Sequence, residues 1–112
     1  MIAIGHVKRH AGVYVGRPQS PLGNPASHRE SRFAQVAVAT LEEALAWYEP
    51  WFEACLADPH SEQSLELARL RALELEHGKL TLLCWCSREL REPTWPPTCH
   101  ADIIALKMRT LH

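Results

Sequence analysis

The chain has 112 residues, 46% hydrophobic and 22% charged, the composition of one compact soluble domain and not of a disordered segment or a disulfide-held miniature. Twelve basic residues against thirteen acidic ones leave a formal net charge of -1, so no global field draws an anionic membrane or nucleic-acid phosphates, and nucleic acid would need a local patch. Apolar runs fall far short of the ~20 residues that span a bilayer, and Met1-Ile2-Ala3-Ile4-Gly5-His6 lacks a basic-then-apolar leader pattern. The expected setting is therefore the cytoplasm, where Cys55, Cys84, Cys86 and Cys99 stay reduced and read as core filler, metal ligands or reactive thiols.

Ile2 to Val7 and Gly12 to Val15 are short β-type runs separated by Lys8-Arg9-His10, two strands or one interrupted strand. Gly16 to Pro25 holds three prolines and two glycines in ten residues and can only be a loop. Ser27 to Arg32 continues it, and Phe33 to Ala39 is apolar but ambiguous between strand and lead-in. Thr40-Leu41-Glu42-Glu43 is a capping box that starts a helix, with Ala44, Leu45, Tyr48, Trp51, Phe52, Cys55 and Leu56 at helical spacing to about Ala57. Pro50 removes the hydrogen bond to the Ala46 carbonyl and should kink or split that helix. After Asp58-Pro59-His60-Ser61, the residues Leu65, Ala68, Ala72, Leu73 and Leu75 mark a second helix, stopped by Gly78. A buried strand follows from Leu80 to Cys86, then a loop with Pro93, Pro96 and Pro97, then a last helix from Cys99 to about Thr110 with Thr98 as N-cap. Helix, short turn and buried strand in succession predict a single α/β domain over residues 1-112, a small Rossmann-like three-layer sandwich with a short, mostly parallel sheet.

Several of these pieces together resemble a family. Tyr14-Val15-Gly16-Arg17-Pro18, Pro21-Leu22-Gly23-Asn24-Pro25, a helix with Glu43 and Tyr48-x-x-Trp51, Cys84-Trp85-Cys86 and Cys99-His100-Ala101-Asp102 look like the small bacterial and phage proteins grouped as domain of unknown function 4326. The likeness covers nearly the whole chain, which departs from the pattern in Ala26 after Asn24-Pro25, in Pro50 and in a longer insert between Cys86 and Cys99. The resemblance implies no particular reaction.

The cysteine-rich end has three readings. Within a strand, Cys84 and Cys86 share a face with Trp85 opposite, and Cys99 and His100 at a helix start meet unpaired N–H groups and a positive dipole end, which favours a Cys99 thiolate and a nearby anion. In the plainest reading Cys84 and Cys86 are small buried hydrophobes and His100 is an exposed helix-start residue. A zinc reading takes Cys84, Cys86, Cys99 and His100 as a Cys3His set, but the spacing argues against it: a one-residue gap in a strand and two adjacent residues on a helix would have to converge. No metal ligand set is therefore assigned.

In the third reading Cys86, Cys99, His100 and Asp102 are catalytic around a pocket to which Gly16, Arg17, Gly23 and Asn24 contribute ligand contacts. Arg17 forks onto a phosphate or carboxylate, Asn24 reads an amide or base edge, and the glycines let backbone approach a ligand. Against this stand a surface ion pair for Arg17, a turn role for Asn24 before Pro25, and helix-dipole stabilisation for Asp102. Trp47, Tyr48, Trp51 and Phe52 read as core, or as the face of a homodimer, before a base-stacking platform. The expected function is binding, with or without processing, of a nucleotide-like or other phosphorylated small molecule at the strand carboxyl ends. The competing expectation is a non-catalytic interaction module, such as a phage–host accessory protein, with a structural Cys/His cluster that could hold zinc.

Overall fold

A computed structural model describes residues 1–17, 19–27 and 36–109. Three strands form an open parallel sheet: β1 (Ile2–His6), β2 (Val13–Tyr14) and, between them, β5 (Leu80–Cys84). Ile2 faces Leu80 and Ile4 faces Leu82 across one ladder, while Val13 and Tyr14 face Leu82 and Leu83 across the other. The ambiguous opening run is thus two strands, and the polar Lys8-Arg9-His10 turn carries the chain over the end of β5 to its far side. β5 is buried from both sides and reads as a continuous apolar run for that reason. A separate pair of two-residue parallel strands joins β3 (Ala26–Ser27) to β4 (Val36–Ala37). The rest of the expected loop up to Arg32, the start of the Phe33 to Ala39 stretch, and the expected helix end at Thr110 lie outside the described residues.

Helix α1 (Leu41–Leu56) starts where the capping box puts it: the Thr40 hydroxyl accepts from the Glu43 N–H, and the Glu43 carboxylate reaches back to the Ala39 N–H. It runs through Pro50 as one helix and buries Ala44, Tyr48 and Phe52. Helix α2 (Glu62–His77) is capped by Ser61 and closed by Gly78 in the left-handed region at φ 76. Its buried face is not the expected one. Leu65 and Leu75 are 60% and 68% exposed, and Leu67, Leu70 and Glu74 point inward. Leucines ring this helix, so spacing alone does not choose a face, and the Met1 ammonium group at 2.8 Å together with Arg71 lets the Glu74 carboxylate take an inward position.

The third helix, α3 (His100–Arg109), buries Ala101, Ile103, Ile104 and Met108 against β1, β5 and the other two helices. It starts one residue later than expected, so Cys99 and not Thr98 precedes it. Likewise β5 stops at Cys84, and Trp85 and Cys86 belong to a bend. Both corrections matter for the site. No helix among the described residues is long and apolar enough to cross a membrane.

Candidate functional site

Arg91 fixes the carboxyl end of the sheet. Its backbone N–H and carbonyl exchange hydrogen bonds of 2.9 and 2.8 Å with Ile4, so it covers the outer edge of β1. Its guanidinium donates to both Asp102 oxygens, at 2.7 and 3.0 Å, and to the Ser87 hydroxyl. Asp102 also accepts from the backbone N–H groups of Thr94, Thr98 and Cys99. Burial alone would raise the Asp102 pKa, but the guanidinium and these N–H donors outweigh it and hold the carboxyl below its usual range. The carboxylate thus takes the two backbone N–H groups that lead into α3 and clamps the 88–98 loop between β1 and α3.

That clamp brings Cys99 to the end of β5. The sulfurs of Cys84, Cys86 and Cys99 lie within 4.8 Å of one another. In a flat strand, side chains two residues apart are separated by about 6.6 Å, from a rise of about 3.3 Å per residue. The bend at Trp85 and Cys86 closes that gap and turns the backbone N–H groups of Cys86 and Ser87 onto the Cys84 sulfur. Cys84 accepts hydrogen bonds from the Cys86 and Cys99 thiols and from those two amides, and its pKa is pulled far below the usual thiol range. The Cys99 thiol, beside the Cys84 and Cys86 sulfurs and buried, is pushed well above that range. The two shifts run in opposite directions because the thiols share their protons, with Cys84 the more readily ionised. Cys84 and Cys99 are buried, and Cys86 is exposed.

His100 belongs to the edge of this cluster. Its Nε2 sits 2.9 Å from the Val15 carbonyl, which can only accept, so Nε2 carries the proton and the Nδ1 lone pair faces the Cys99 sulfur at 3.8 Å. Burial lowers its pKa, against the bond to Val15. Tyr48 meets the His100 ring edge-on and donates to the Leu22 carbonyl at 2.7 Å, linking the helix start to the Gly16 to Pro25 loop.

Within that loop the expected ligand groups are occupied by the fold. Asn24 donates to the Ala44 carbonyl and accepts from the Ala26 N–H, both at 2.9 Å. Arg17 donates through Nε to the Gly23 carbonyl and stacks over Trp51. A Cβ on Gly23 would meet the Arg17 backbone nitrogen at 2.6 Å, so this glycine permits a close crossing of the loop's two ends. Gly16 is buried against the Tyr14 ring. Arg17 and Asn24 are half-buried, and Gly16 and Gly23 are buried. Arg17 lines an open cleft of about 530 Å³ with Arg69 and Glu66, on other ground than the cysteines. Of the aromatic quartet, Tyr48 and Phe52 are core and Trp47 stacks on Trp51.

Cys86 lines a second cleft, of about 870 Å³, with Trp85, Ser87, Arg88, Arg91 and Thr98. Trp85 is 55% exposed yet fixed: its indole N–H donates to the Tyr14 hydroxyl at 2.9 Å, His6 meets it edge-on, and the Lys8 ammonium lies 5.3 Å from its ring centre. Trp85 stands in the Cys84-Trp85-Cys86 motif, but neither it nor Arg88 or Arg91 is a candidate ligand contact on sequence alone. The signal available was their position directly after an apolar strand, where ligand sites of open α/β sheets gather.

The family described as "Domain of unknown function (DUF4326)" matches residues 3–110. No curated protein and no solved structure matches the chain.

Proposed function

The chain belongs to the DUF4326 family, whose description carries no reaction, and we propose that it binds, with or without processing, a nucleotide-like or other phosphorylated small molecule at the carboxyl end of its sheet, in the Rossmann-like manner. The observation that carries this reading is the cleft beside Cys86. It combines a held but exposed indole face at Trp85, the exposed Arg88, two hydroxyls at Ser87 and Thr98, and a thiol. An aromatic face suits a base or other flat ring, and a guanidinium suits a phosphate. The reading moves the ligand contacts from Arg17 and Asn24 to Trp85 and Arg88. Cys86 is the thiol in reach of a ligand, with Cys84, Cys99 and His100 behind it.

Thermal unfolding with inorganic phosphate and with a nucleoside monophosphate tests it. A ligand of the native state raises the melting temperature with the logarithm of its concentration over Kd. The expected result is a larger rise with the nucleotide than with phosphate, lost in Trp85→Ala and Arg88→Ala. No rise with either probe, or a rise that both variants retain, rejects the reading.

A further inference from the structure

We infer that Cys84, Cys86 and Cys99 form a three-thiolate site for a single thiophilic metal ion of the zinc class. Zinc–thiolate bonds of about 2.3 Å in a tetrahedron place sulfurs about 3.8 Å apart. The three sulfurs already lie within 4.8 Å of one another, although two come from a strand end and the third from a helix start. Shared core-filling does not account for this set. Cys84 and Cys99 reach into the core, but Cys86 is exposed, so core-filling gives no reason for its sulfur to join theirs.

Coordination exchanges each remaining thiol proton for a metal–sulfur bond, and the protons pass to solvent. Three thiolates and a divalent ion leave one negative charge, and the Arg91 guanidinium lies near enough to feel charge at both Cys99 and Cys84. Among the described residues the group closes at three: no further Cys, His, Asp or Glu joins it. His100 presents Nδ1 to Cys99 alone, with its other ring nitrogen held by a backbone carbonyl. One tetrahedral position is therefore left for a solvent or ligand atom on the Cys86 side, which opens to the cleft. Sites with three protein ligands and one open position are the chemically active kind, where bound water is acidified or a ligand oxygen polarised. The inference stands on the cysteines and is independent of whether the cleft takes a phosphorylated ligand.

The full chain, kept reduced, is titrated with zinc and separately with cobalt(II) as a spectroscopic stand-in, with no nucleotide present. The expected result is one ion per chain, with thiolate-to-cobalt charge-transfer absorption that excess zinc removes. Because Cys86 is exposed, Cys86→Ser keeps the fold and should weaken the metal about tenfold or more, at least the loss seen for groups that merely support ligands. Cys55→Ser, outside the cluster, should change nothing. A folded, reduced chain that takes up neither ion overturns the inference, and so does metal binding that Cys86→Ser leaves unchanged.

Discussion

Single side chains at the sheet's carboxyl end have roles that their types alone do not announce. A cysteine at a helix start is expected to be the reactive one, yet here Cys99 is buried, its pKa held up by the neighbouring thiols and by burial, and Cys86 is the exposed member. Alkylation of the metal-free protein at neutral pH should therefore modify Cys86 first and Cys99 and Cys84 last, read by mass spectrometry of the labelled peptides; Cys99 labelling first would contradict the cluster's hydrogen bonding. Asp102 likewise is a fixture and not an exposed acid. Removing one partner from a buried ion pair leaves the other uncompensated, so Asp102→Ala should lower stability by about 3 kcal/mol or more, measured by denaturant unfolding. The residues that carry these roles were visible in the sequence. Their convergence was not, because it depends on Arg91 joining β1 to α3 across a proline-rich loop that has no periodicity to read.

The elements themselves were more legible than their faces. The capping box at Thr40, the stop at Gly78 and the apolar run after it place α1, α2 and β5 from local chemistry alone. The inward face of α2 could not be read, since it depends on an ammonium group far away in the chain meeting Glu74. Similarly, the two-residue shortening of β5 follows from N–H groups folding back on Cys84, a preference no strand pattern encodes. α1 offers a test at this scale. It continues through an exposed Pro50, and helix-interior proline costs about 3 kcal/mol against alanine. Pro50→Ala should leave the fold intact and raise the melting temperature by several degrees, and a fall would mean that the proline is needed for packing.

For the molecule as a whole, pH acts through groups that folding has made harder to protonate. A group whose pKa is lower in the folded chain stabilises it fully above the unfolded pKa, and that contribution is lost as pH falls towards the folded value. His100 is lowered by burial, so its contribution should begin to disappear below about pH 6.5, the ordinary histidine value. Asp102 and Glu74 are lowered by their cationic and N–H partners despite burial, so theirs should disappear below about pH 4. Melting temperature against pH should thus fall in two stages. His100→Gln, whose amide nitrogen can still reach the Val15 carbonyl, should remove the upper stage and spare the lower one.

The middle position of β5 also governs when this structure can exist. Its partners β1 and β2 are made first but lie about seventy residues from it in sequence, and nothing pairs them with each other, so the sheet must wait for late, long-range closure of the kind that slows folding. On the ribosome the nascent chain can build α1 and α2 from local signals while its first two strands remain unpaired. Only when Leu80 to Cys84 emerges does a sheet form, and the segment that follows brings Arg91 and Cys99 into place. The core and the three-cysteine site are therefore born in one event. A chain that stops short of Leu80 holds neither.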